Sequence, residues 1–267
     1  MEHRFKPYEE LTFSDDFMFS KIMRDPEIAR GVVENLLGVK VSRIEFLTSQ
    51  HTIDAAYSGK GVRLDAYLED ESRIFDIEIQ TVVKADEGLR MRYYQGIIDT
   101  EKTPRGRMYR TLKETYIMFI CLSDPLGRGK AVYHFVTKDL DDNHILNDRT
   151  HKIFYNASAF EKAGDPKVRA FLKFLNRSAA SDPLTQKIQA EVALSKKAEK
   201  WRTDYMLWED QIEEWKLEGR EEGIAQGEKQ GALNKAVETA KKLLKNNIPE
   251  KIIAECTGLS PEQIKSL

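Results

Sequence analysis

The chain has 267 residues, 41% hydrophobic and 32% charged, enough for one core of ordinary domain size with an accessory region beside it. A formal net charge of -2 excludes a cationic nucleic-acid coat, so any DNA contact must come from a local basic patch. Two distant cysteines, Cys121 and Cys256, exclude a disulfide framework or a Cys-rich zinc motif, and the five histidines show no ligand spacing. The first residues, MEHRFKPYEE, are too polar for a signal peptide, and no apolar run is long enough to span a bilayer. A cytoplasmic location without membrane contact is the expectation.

LTFSDDFMFSKIM and RDPEIARGVVENLLG predict helix, with Asp25 as a cap, Pro26 at the first helical position and Gly38 at the end. VSRIEFLTSQ predicts a strand, LRMRYYQGIID has helical spacing, and TYIMFICLS fits a buried strand that places Cys121 in the core. AVYHFV and KIFYNAS read as two further strands, and VRAFLKFL as a short amphipathic helix. Strands mixed with helices predict an α/β domain over residues 1–180.

Composition shifts after SAASDP, and residues 181–246 predict a long, charged helical extension. Trp201, Trp208 and Trp215 are spaced by seven, which sets them on one stripe suited to docking on the domain or on another chain. A homo-oligomer through this region is one expectation. Gly219, Gly223, Gly227 and Gly231 recur every four residues, and each costs about 1 kcal/mol of helix stability relative to alanine, which favours a weak, solvated helix. Residues 247–267 predict two short helices. Asn247 and Pro249 start the first, Gly258 ends it, and Ser260 to Gln263 forms a capping box. Ala254, Gly258 and Ile264 fall at helix-turn-helix offsets, yet Lys265 is the one basic residue of the second helix, so a packing or dimerising module is the expected role.

The stretch RLDAYLEDESRIFDIEIQ, Arg63 to Gln80, alternates charged and apolar residues. Paired as a hairpin that turns near Asp70–Arg73, it sets Asp65 opposite Glu78, residue 67 opposite 76 and residue 69 opposite 74. Strand side chains alternate with period two, so Asp65, Tyr67, Asp76, Glu78 and Gln80 share one face, while Leu64, Ala66, Leu68, Phe75, Ile77 and Ile79 share the other. Two carboxylates directly opposed repel by about 3–4 kcal/mol at an effective dielectric of 20. A solvated face with Arg63 nearby would dilute that repulsion, and a divalent cation would reverse its sign. From Lys84 to Lys113, eight basic residues face four acids, a net positive segment in a net negative chain. On its helix Arg90 shares a face with Tyr94, and Arg92 with Gln95.

An Asp on one strand followed by Glu-x-Gln on the next resembles the PD-(D/E)XK nuclease superfamily. The order of LTFSDDFMFSKIMRDPEIARGVVENLLG, VRLDAYLED, FDIEIQ, RMRYYQGIID and TYIMFICLSDPLGRGKAVYHF is similar to its Rpn, or transposase-like, branch, over nearly the whole chain including the glutamate-glycine repeats. The resemblance implies a restriction-endonuclease-like mixed sheet flanked by helices, with an α-helical C-terminal region. It implies a metal-dependent DNA endonuclease associated with recombination or mobile elements, using magnesium or manganese held by Asp65 and Glu78. Gln80 stands where the superfamily has lysine, as is usual in this branch. Asp16, in FSDDFMF, matches the acid carried in the first helix, and also suits an N-cap. Arg90, Arg92, Tyr94 and Gln95 would contact DNA from the helix after the metal-bearing strand. The alternative is a non-catalytic DNA-binding or assembly protein on the same fold.

Overall fold

The computed structural model describes residues 5–41, 43–44, 46–53 and 62–267. Helices α1 (Asp16–Ile22) and α2 (Pro26–Leu37) precede strands β1 (Phe46–Ile53), β2 (Val62–Glu69) and β3 (Arg73–Gln80). Then come α3 (Glu87–Lys102), β4 (Glu114–Cys121), β5 (Val132–Phe135), β6 (Thr150–Asn156), α4 (Pro166–Leu175) and α5 (Pro183–Ser195). The chain ends with α6 (Glu199–Lys245), α7 (Glu250–Thr257) and α8 (Pro261–Lys265).

Six strands form one mixed sheet in the order β1-β2-β3-β4-β6-β5. The first three are antiparallel neighbours, β3, β4 and β6 run parallel, and β5 returns antiparallel at the edge. The central strands β3 and β4 carry near-continuous apolar runs because both sheet faces are covered. Ile117, Phe119 and Phe154 point to the face covered by Met91, Tyr94 and Ile98 of α3. Tyr155 points to the opposite face, where its hydroxyl donates to the Leu36 carbonyl of α2 at 2.8 Å.

A cap followed by proline starts four helices. Asp25, Asp165, Asp182 and Ser260 each accept backbone N–H bonds at the head of α2, α4, α5 and α8, with Pro26, Pro166, Pro183 and Pro261 next in line. Gly38 ends α2 and Gly258 ends α7, both with positive φ, as expected from sequence.

Packing in the structure continues past residue 180, the expected end of the α/β domain. The compact unit runs to Tyr205. Helix α5 packs on α1, α2 and α4, with Ile188 fully buried. Tyr8 donates to the Ser195 carbonyl at 2.8 Å, Tyr205 donates to the Lys6 carbonyl at 2.8 Å, and Lys21 pairs with Asp204 at 2.7 Å. Gly31 of α2 leaves room for Leu184, because a Cβ there would meet the leucine methyl at 2.8 Å. A shift towards charged composition thus marks amphipathic helices that still close the core.

The second compact unit, from Met206 on, has its own core, in which Ala240 of α6 meets Ile253, Leu259 and Ile264 of α7, α8 and their link. Ile264 and Ala254 therefore serve packing, in line with the role expected for these helices. Along α6, Trp201 and Trp208 are half-buried and Trp215 is 42% exposed. A Cβ added at Gly219, Gly223, Gly227 or Gly231 would meet nothing within 4 Å, so the glycine stripe is bare. Among the described residues no helix is long and apolar enough to cross a membrane.

Candidate active site

The hairpin that carries the acids turns on Asp70. Its carboxylate accepts from the backbone of Ser72 and Arg73 and pairs with the Arg73 guanidinium at 2.5 Å. From this turn the strands pair Glu69 with Ile74, Leu68 with Phe75, Tyr67 with Asp76 and Ala66 with Ile77. This is the register expected from the sequence. One step further Asp65 stands opposite Glu78, and side chains bridge the strands there. The Asp65 backbone N–H donates to Glu78 Oε1 at 2.9 Å, and the Ile79 N–H donates to Asp65 Oδ2 at 3.3 Å. The two carboxylates are thus cross-tied to each other's strand.

The acidic face is covered rather than wet. Asp76 is 0% exposed, Glu78 3% and Gln80 8%. The reason is α3, whose apolar stripe lies over this face of the sheet. The side chain of Arg63 lies outside what the structure describes. Neither oxygen of Asp76 has a hydrogen-bond partner among the described residues. Burial, reinforced by the charge of Asp65, pushes the Asp76 carboxyl well above its ordinary 3.8, and burial with Asp65 and Asp76 does the same to Glu78 above 4.5.

That shift has a consequence for stability. The folded chain binds these protons more tightly than the unfolded chain does. Their contribution is complete below about pH 4 and is lost as pH rises through the raised values. Paired acids such as Asp70, held low despite burial by its bonds to Arg73 and Ser72, act with the opposite sign. The difference between wild type and Asp76→Asn in EDTA isolates the effect. We expect Asp76→Asn to gain thermal stability over wild type as pH rises from 4 to 8, and parallel melting curves across that range would contradict it.

Arg90 reaches into the same cluster from the first turn of α3. Its guanidinium donates to Gln80 Oε1 at 2.8 Å, to Glu87 Oε2 at 2.5 Å and to the Tyr94 hydroxyl at 3.0 Å. It lies 3.8 Å from Glu78 Oε2 and stacks over the rings of Tyr94 and Phe119. Glu87 is itself buried and accepts from the Lys84 backbone, which fixes the turn leading into α3.

Of the four residues expected to contact DNA, Tyr94 and Gln95 are buried. Tyr94 packs edge-on against Phe119 in the core, and Gln95 is buried and donates to Asp99 at 2.9 Å. Both lie on the stripe of α3 that covers the sheet. Arg92 is exposed, and its neighbour Tyr93 is 40% exposed. Asp16 is the exposed first residue of α1, a helix that packs against β2, and the capping position before it belongs to Asp15. Asp76 and Glu87 were not singled out as site residues from sequence. The signal for Asp76 was present, since it lies two residues before Glu78 on the same face. Cys121 is buried as expected, and burial pushes its thiol up to about 12.

The donor set suits a hard divalent cation. It consists of carboxylate oxygens, and Asp76 supplies two with no other partner described. Among the described residues no three His, Cys, Asp or Glu side chains form a ready cage. Magnesium asks for less, since one or two carboxylates plus waters and substrate phosphates suffice.

A mixed sheet flanked by helices, with an acid-bearing hairpin beside parallel strands, defines a restriction-endonuclease-like α/β fold. The chain belongs to the family described as PD-(D/E)XK nuclease family transposase, whose model matches residues 15–222. Membership brings a nuclease-like character, an association with mobile elements and an implied DNA substrate. The match ends just after Gly219, so Gly223, Gly227 and Gly231 lie beyond it. No curated protein and no solved structure matches the chain.

Proposed function

We propose that the protein is a cytoplasmic DNA endonuclease that hydrolyses phosphodiester bonds with magnesium or manganese, in recombination or mobile-element biology. The observation that supports this reading most is the cluster of Asp65, Asp76 and Glu78, in which Asp76 and Glu78 are buried and neither Asp76 oxygen has a hydrogen-bond partner among the described residues. Asp65 and Glu78 would hold the cation, with Asp76 behind them. Bound there, it would lower the pKa of a water and offset negative charge on the phosphate.

The chain's own groups would do the rest. Gln80 spends its carbonyl oxygen on Arg90, so its amide N–H groups are the end left to orient a water or a phosphate oxygen. Gln80 brings no charge, and Arg90 supplies one beside Glu78, held in place by Glu87. Asp16 would contribute from the rim. Arg92, Arg105, Arg107 and Arg110 are exposed, as is Tyr109 at 85%, and would hold the DNA backbone. Self-association through α6 belongs to the same proposal.

The second reading, a non-catalytic DNA-binding or assembly protein, draws on the hydrogen bonds that already occupy one oxygen each of Asp65 and Glu78. Purified protein incubated with plasmid DNA separates the two. Nicking with magnesium or manganese that stops in EDTA supports the nuclease, and DNA binding without cleavage in either metal supports the rival. Gln80→Ala should lower turnover by about 100- to 1,000-fold with little change in DNA affinity, the loss of one preorganised donor. Gln80→Lys should retain more activity than Gln80→Ala. Equal turnover in wild type and Gln80→Ala would make the residue a bystander.

A further inference from the structure

The sheet brings together two histidines that no sequence spacing links. His134 lies on edge strand β5 and His151 on β6, with His134 paired in register with Ile153. The Nε2 of His134 is 2.9 Å from the Nδ1 of His151. On its other side the Nε2 of His151 is 3.0 Å from Glu114 Oε1. The ring of His151 stacks on Tyr116 with centroids 4.4 Å apart and planes 6° from parallel. Tyr116 lies on the face of β4 opposite Ile117 and Phe119, so this cluster is on the other side of the sheet from Asp76 and Glu78.

The hydrogen bonds assign the protons. The Glu114 carboxylate accepts from His151 Nε2–H, which leaves the lone pair of His151 Nδ1 aimed at His134. When His134 shifts its proton to Nδ1, two imidazole lone pairs stand side by side. Two nitrogens bound at about 2.0–2.1 Å in adjacent positions are separated by about 2.9 Å in a tetragonal site and about 3.3 Å in a tetrahedral one. The observed spacing matches the tetragonal separation, and each ring would turn by about 45° from its hydrogen-bonded direction to aim both lone pairs at one ion. A carboxylate bonded to the far nitrogen of a ligating histidine fixes its tautomer and raises its basicity.

We propose that His134 and His151 form a binding site for a divalent transition-metal ion of the zinc, nickel and copper(II) class, oriented by Glu114. Imidazole nitrogens select this class over magnesium, which takes oxygen ligands. Among the described residues no third His, Cys, Asp or Glu converges on the pair, so water fills the remaining positions. The ion would tie the four-residue edge strand β5 to β6 and so brace the edge of the sheet.

The test is calorimetric titration of the untagged full chain with zinc chloride in excess magnesium. The expected result is a saturable site of one zinc per chain. His134→Gln and His151→Asn should each weaken it at least tenfold, and Glu114→Gln by about 10- to 100-fold relative to wild type. His144→Gln and Asp65→Asn should leave it unchanged. Zinc should also raise the melting temperature of wild type and not that of His134→Gln. No saturable zinc uptake by wild type would overturn the proposal, as would uptake that survives in both histidine variants. His134 is exposed on an edge strand, so His134→Gln should fold even if His151→Asn does not. No arm of the experiment depends on DNA cleavage.

Discussion

Asp65→Asn and Glu78→Gln should each lower metal-dependent DNA cleavage by about a thousandfold or more, the scale of losing a metal ligand or a preorganised charge in a nuclease site. The amides are chosen over alanine for a structural reason. Glu78 Oε1 accepts the Asp65 backbone N–H, and Asp65 Oδ2 accepts that of Ile79. An amide oxygen can keep each bond, so the hairpin should stay closed while the charge is lost. Each substitution also relieves repulsion within a buried acidic cluster, and the melting temperature without metal should hold or rise. Cleavage within threefold of wild type in either variant, with unchanged folding, would dismiss the pair as the catalytic centre. A loss of both cleavage and fold would leave the assignment to Asp76→Asn, which removes a charge that none of the described backbone hydrogen bonds uses.

Truncation should have the next largest effect. A chain ending at residue 180 should lose its cooperative melt, whereas one ending near residue 222 should keep it. The shorter chain lacks α5 and Tyr205. It would expose the surfaces that cover Ile188, Val192 and Tyr205, and the aromatic contact of Phe17 with Tyr205 at 5.0 Å. Each such buried side chain contributes about 1.5–3 kcal/mol, and three or four together rival the whole stability of a typical domain, about 5–15 kcal/mol. The longer chain retains every one of those contacts. Circular dichroism on both chains measures this, and a cooperative melt of the 1–180 chain within a few degrees of wild type would restore the shorter domain boundary.

The two predictions mark what the sequence conveyed and what it did not. The hairpin register was legible because period-two alternation and a short turn admit few pairings, and the pairs Tyr67 with Asp76 and Glu69 with Ile74 are as expected. Caps at Asp25 and Ser260 were legible because a cap followed by proline acts within one turn of chain. Whether the acidic face was wet or covered could not be read, because alternation says which residues share a face and nothing of what lies over it. The cover is α3, from which Arg90 was expected to contact DNA. In fact Arg90 turns inward to Gln80 and Glu87. The packing of α5 onto the first domain was hidden for a related reason. Helix α5 mixes apolar residues with Thr, Gln, Lys and Glu, and Ile188 and Val192 lie on one stripe that is buried.

The Asp76 carboxyl has a meaning in evolutionary terms. A fully buried acid with no described partner is the kind of position that neutral drift should erase, because most apolar or amide replacements there would stabilise the fold. A lineage freed from selection at this site would be expected to shed Asp76 early, and to relax Asp65 and Glu78 soon after. This chain carries all three on one face of one hairpin, together with the arginine that faces them. Descendants that have lost the function should therefore be recognisable by a more stable hairpin and by hydrophobic residues where these acids now stand.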